Sequence, residues 1–190
     1  MRKKFLVKNY LKCWEFLKEC HWYIVFALGF FSLLFIIGFT FPIFFREEIF
    51  SFIAEMSKVI EGKNVFELVR FIFLNNLKAS FLAIALGIGF GIIPLTIGIV
   101  NGYLLGFVAR LAVARGGILI MWKLFPHGIF ELPAILFSIG IGLKIGIDLF
   151  RKDNNLKHNF REGLRFFILV IIPLLLIAGI IEGILIGIVN

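Results

Sequence analysis

Apolar residues in this chain neither alternate nor recur on one helical face; they run on for stretches of about 20, separated by short charged segments. A helix of that length rises about 30 Å, the thickness of a bilayer's hydrocarbon layer. Only helices and closed barrels satisfy every backbone group in lipid, and barrel strands would be short and alternating. The pattern therefore predicts an all-α fold: a polytopic helical membrane protein of about five spans, one integral domain over 1–190.

Residues 1–21 read as a cytoplasmic interfacial helix, with Lys8, Lys12, Glu15 and Glu19 on one stripe and Leu6, Tyr10, Cys13 and Leu17 on another. Span 1 follows within 22–45, opened by the interfacial aromatics Trp22 and Tyr23 and closed before Pro42. Segment 46–78 carries as many basic as acidic side chains, so it is placed outside. Its first half is amphipathic through Ile49, Phe52, Ile53, Met56 and Ile60. Gly62 ends that helix, and Asn64 with Glu67 predicts a capping box for the next. Spans 2 to 5 fill 79–190. Span 2, Ser80–Val100, is kinked at Pro94; Asn101-Gly102 makes an inner turn; span 3, Tyr103–Trp122, is interrupted by Arg110, Arg115 and Gly116-Gly117 and is either continuous or re-entrant. Span 4 runs Ile129–Phe150, a basic loop covers Arg151–Arg165, and span 5 runs Phe166–Val189.

Composition sharpens the class, because 61% hydrophobic against 17% charged residues excludes an ordinary soluble domain. The formal charge of +8 could attract nucleic acid, yet the excess lies beside the spans, near Arg2–Lys18 and Arg151–Arg165. That placement predicts contact with inner-leaflet headgroups and no nucleic-acid partner, a multi-pass protein of the cell membrane with its N-terminus cytoplasmic and its C-terminus extracytoplasmic. The first apolar run is long and has no small-residue cleavage site, so it is expected to stay as a span. Cys13 and Cys20 fall on the cytoplasmic side, where disulfides are rare.

Small residues recur every four positions at Gly98, Gly102, Gly106; at Ala134, Ser138, Gly142, Gly146; and at Gly179, Gly183, Gly187. Such stripes let helix backbones approach, and packing within the chain is the favoured reading. The third stripe, on the terminal helix, is the candidate dimer face, with a homodimer and other membrane proteins as the expected partners beside the lipid bilayer.

Ionisable groups inside spans are costly unless paired or facing a cavity. Glu131 and Glu182 are expected at similar depth in spans 4 and 5, with His127 one turn before Glu131 and Arg115 reaching up from span 3. This polar cluster reads first as an interhelical ion-pair lock, and in the alternative as a cation or proton site. His127 with Glu131 supplies two metal ligands, short of the three or four a zinc site needs, so no cofactor is expected unless a metal ion binds there. Lys144 and Asp148 form an i, i+4 pair, and Arg110 is expected to snorkel to the inner headgroups. No HExxH, GxSxG, Walker or dinucleotide motif is present, which leaves an enzyme unsupported.

Asn75-Asn76 before a Gly-rich span, Asn101-Gly102, the run Pro126-His127-Gly128-Ile129-Phe130-Glu131-Leu132-Pro133, and Glu182 in the last helix resemble the stage II sporulation protein M family of integral membrane proteins. The similarity covers roughly residues 65–190, and the run from Pro126 to Pro133 is its most specific part. In spore-forming bacteria the namesake is a membrane component of the engulfment machinery, working with partners that remodel peptidoglycan. Members also occur in organisms that neither sporulate nor make peptidoglycan, so the resemblance implies a shared membrane scaffold, a non-enzymatic assembly or interaction role, and no catalytic residues to carry over.

Overall fold

The computed structural model describes residues 2–151 and 155–189, with side chains over 6–121, 128–151 and 155–187. No strand occurs among the described residues. The helices are α1 Arg2–Thr40, α2 Arg46–Ile60, α3 Val65–Ala85 with a 3-10 turn to Ile88, α4 Ile92–Gly116, α5 Met121–Asp148, α6 Leu156–Phe166, and α7 Ile172–Val189 after a π-helical turn at Phe167–Ile171. Among the described residues five segments are long and apolar enough to cross a membrane: Leu6–Thr40, Val65–Ile88, Ile92–Gly116, Gly128–Asp148 and Leu156–Gly187. α5 is central and packs on α1, α3, α4, α6 and α7.

The interfacial helix and span 1, expected as separate elements, are one continuous helix. No Gly or Pro lies between Arg2 and Leu28 to break it. Its 39 residues make about 58 Å, well beyond the ~30 Å of hydrocarbon, so part of α1 lies outside that layer or the helix is inclined. Cys13, Phe16 and Cys20 are buried against Phe166, Phe167, Ile171 and Leu175, so Cys13, on the apolar stripe of the expected interfacial helix, packs against protein.

The turn between spans 2 and 3 also differs from the expected one. It falls at Gly87–Gly91, where Phe90 and Gly91 take φ of 58° and 73°, and not at Asn101-Gly102. Pro94 consequently sits in the first turn of α4, where a missing N–H costs nothing, rather than kinking a span. Span 2 begins at Val65, inside the stretch read as extracytoplasmic, and span 3 is a continuous α4. Arg110 and Arg115 move to the end of the bundle that carries α2. Arg110 lies 5.7 Å from the Phe39 ring there, at the end opposite to the one where it was expected to snorkel.

With the turn moved, the stripe Gly98, Gly102, Gly106 lies on one uninterrupted helix and faces α1: Cβ atoms on Gly102 and Gly106 would run into the Phe31 and Phe35 carbonyls. Gly142 and Gly146 lie against α3 and the Gly87–Gly91 turn, and Gly179, Gly183 and Gly187 against Phe73, Val69 and Val65 of α3. The stripe read as a dimer face is therefore occupied within the chain.

The link between α1 and α2 is held by one hydroxyl. Tyr103 Oη accepts from Phe44 N at 3.0 Å and lies 3.0 Å from the carbonyl oxygens of Phe41 and Phe44, which share its single proton. The clamp fixes a turn in which Phe45 has a φ of 52°. Tyr103→Phe keeps the ring packing on Phe107 and removes only these bonds. It is expected to cost about 1–2 kcal/mol, read as a lower unfolding midpoint in detergent. After α2, Gly62 supplies a positive φ, and the predicted capping box forms: Glu67 N donates to Asn64 Oδ1 at 3.0 Å and Asn64 N to Glu67 Oε2 at 2.9 Å.

Candidate functional site

A cavity of about 600 Å³ opens between α1, α4, α5 and α7. Its walls are apolar, formed by Phe31 and Phe35 of α1, Leu104 and Val108 of α4, and Leu132 and Ile135 of α5 among others. Among the described residues three polar side chains line it, each from a different helix: Asn101 of α4, Glu131 of α5 and Glu182 of α7.

Local sequence explains how each arrives. Asn101 lies in the middle of α4, and its amide nitrogen donates to the Ile97 carbonyl at 2.8 Å, which lets an amide sit in an apolar helix and leaves its oxygen as an acceptor. At the next position, a methyl group on Gly102 would stand 3.0 Å from Leu34 Cβ and from the Phe31 carbonyl oxygen, so α4 lies close against α1 beside the cavity. Glu131 follows Gly128 by three residues on α5, and both line the cavity. Glu182 precedes Gly183, which seats α7 on Val69 of α3 and orients the adjacent carboxylate's helix. Both glutamates are half-buried and both make polar or ionic interactions of their own.

Thus the structure brings Glu131 and Glu182 into one cavity with Gly128, and adds Asn101, which the sequence pattern assigns to a turn. The remaining expectations are placed elsewhere. Arg115 is exposed in the last turn of α4 and is not among the cavity-lining residues. Asn75 is exposed and Asn76 half-buried on α3, away from the cavity lining. Pro126 and His127 belong to the first part of α5, but their side chains lie outside the described residues. Among the described residues no three His, Cys, Asp or Glu side chains come together, so Glu131 gains no ligand set for a metal there.

A second polar group joins α5 to α6. Lys144 Nζ lies 3.2 Å from Asp148 Oδ2, which also accepts from Asn159 Nδ2, and Arg151 approaches Asp148 Oδ1 at 3.6 Å. Glu162 pairs with Arg165, and with Arg161 at 3.2 Å. The local i, i+4 pair expected from sequence is therefore part of an interhelical network. Asn159 is fully buried and Glu162 nearly so. The signal available in the sequence was their spacing: Asn159, Glu162, Gly163 and Phe166 share one face of α6, the face that packs inward.

A family model described as Stage II sporulation protein M matches residues 24–185. Two uncharacterized proteins of Methanocaldococcus jannaschii are similar to the chain. One is 30% identical over 138 residues, covering 68% of this chain and 61% of the relative; the other is 35% identical over 118 residues, covering 58% and 66%. The chain thus spans less than two-thirds of the length of either relative. No solved structure matches it.

Proposed function

This chain belongs to the stage II sporulation protein M family, and from that membership we propose that it is a non-enzymatic integral membrane assembly protein whose binding element is the acidic cavity. In this reading it receives a positively charged group that a partner presents within the membrane. The observation that carries the reading is the convergence of Glu131 and Glu182, from α5 and α7, on one largely apolar cavity of about 600 Å³ that Asn101 also lines. Carboxylates within membrane spans are ordinarily paired or face a cavity, and these two, which make interactions of their own, share one. Low-dielectric walls strengthen their attraction for a cation that enters. The basic residues around the N-terminus of α1 and along α6 support a cytoplasmic N-terminus and an extracytoplasmic C-terminus, which puts the cavity in the outer half of the bundle. A homodimer would have to use a face other than the Gly179–Gly187 stripe.

The probe for this site is tetraphenylphosphonium, an apolar monovalent cation, titrated against purified protein in detergent. Glu131→Gln and Glu182→Gln keep side-chain volume and remove charge. The double variant is expected to fold and to bind the probe at least about tenfold more weakly, with each single variant in between. Equal binding by the wild type and the double variant rejects the cavity as a cation site.

Passage of a cation or proton is a second reading, favoured by the placement of the two carboxylates and Asn101 on three different helices. Proteoliposomes separate the two: a cation or proton flux carried by the wild type and lost in the double variant replaces assembly by transport.

A further inference from the structure

The end of the bundle formed by the α5–α6 joint has a charge distribution that the residue order alone does not reveal. The two acids of the joint are withdrawn from solvent: the side chains of Asp148 and Glu162 are 7% and 5% exposed. Each carries two cations, Lys144 and Arg151 on Asp148, Arg165 and Arg161 on Glu162, so each group is net positive. In both, one cation is buried or largely covered and the other faces outward: Arg151 is 62% and Arg161 66% exposed. The acids act as internal counter-charges that orient the covered cations and leave the outer ones on the surface.

α6 also turns two of its apolar residues outward. Its buried face is Asn159, Glu162, Gly163 and Phe166, whereas Phe160 and Leu164 are exposed, with Lys157 and Arg161 on the flank between them and His158. Phe160 and Leu164 outward with cations alongside, over a buried face that holds Asn159 and Glu162, suit a helix at the boundary between acyl chains and headgroups. Among the described residues, the one carboxylate within 4.0 Å of an outward α6 side chain other than those of the joint is Glu19 of α1, against His158, and Lys157, Arg161 and Arg151 remain outward cations beside the exposed Lys18 of α1.

We infer that Arg151, Lys157 and Arg161, with Phe160 and Leu164 beneath them, form a binding surface for anionic phospholipid headgroups. The guanidinium groups engage phosphate while the apolar pair meets the first acyl carbons. This surface is at the opposite end of the bundle from the acidic cavity and is independent of it.

Spin-labelled phosphatidylglycerol and phosphatidylcholine, each added to the protein in phosphatidylcholine membranes, report the relative association of the two headgroups. The wild type is expected to favour the anionic lipid by about threefold at low salt, with the preference shrinking as salt is added. In the triple variant Arg151→Gln/Lys157→Gln/Arg161→Gln the ratio should fall to near one. It should persist in Arg151→Lys/Arg161→Lys, and in Arg46→Gln/Lys58→Gln/Arg70→Gln, which neutralises cations of the opposite end. Equal association of both lipids with the wild type overturns the inference, as does a preference that survives the first variant.

Discussion

Replacing Asp148 with alanine is expected to destabilise the folded protein by about 3–5 kcal/mol, the usual consequence of leaving a buried charge without its counter-ion. The orphaned group is Lys144, 9% exposed in the middle of the α5 interface, with the Tyr23 ring 6.0 Å away as its other neighbour. Asn159, which donates to Asp148 and is fully buried, loses its acceptor at the same time. The double substitution Asp148→Leu/Lys144→Met tests the explanation, since removing both charges with similar volume is often neutral or stabilising. Chemical unfolding in mixed micelles should therefore show a large loss for the single variant and partial recovery in the double, where the charge is gone but Asn159 still lacks its acceptor. If both variants lose the same stability, packing rather than charge compensation holds α5 to α6.

The other large effect lies in the packing of α1 on α4. Gly106→Val places a side chain where the Phe35 carbonyl and the Phe39 nitrogen of α1 already stand, the latter 2.9 Å from the Cβ position. Overpacking ordinarily costs about 1–3 kcal/mol, and here the obstacle is helix backbone, which cannot rotate aside as a side chain can. We expect a loss at or above the top of that range, visible as poor folded yield and a sharply lower unfolding midpoint. Gly29→Val on α1 is the matched control, because nothing lies within 4 Å of its Cβ position. Comparable stability of the two variants would contradict the close α1–α4 contact.

The turn between spans 2 and 3 marks the point at which local pattern stops predicting structure. Asn-Gly is a strong turn signal in water, where a freed backbone finds solvent partners. Inside a membrane helix the same pair has another use: Gly102 admits the α1 backbone, and the Asn101 amide bonds back to Ile97. The real turn, Leu86 to Gly91, contains no charged or amide side chain, so hydropathy runs through it without a dip. Moving this one boundary takes Asn101 from a loop into a cavity wall, carries Arg115 away from the cavity, and makes span 3 a whole helix. By contrast, the capping box at Asn64 was legible because its signal and its hydrogen bonds lie within four residues.

Residue order was enough to specify the solvent class, the number of apolar helices and the identity of the two carboxylates that stand out within them. Those are local properties, set by how many consecutive residues avoid water and by which of them carry charge. Three features emerged only from the packed helices: Glu131 and Glu182 share a cavity with Asn101, the glycine stripes are filled within the chain, and Asp148 and Glu162 face inward while Arg151 and Arg161 face out. These depend on which helix faces meet across more than 50 positions of chain, as between Glu131 and Glu182. In lipid that choice rests on close backbone packing and polar pairing, because apolar surface gains little there by touching protein instead of acyl chains.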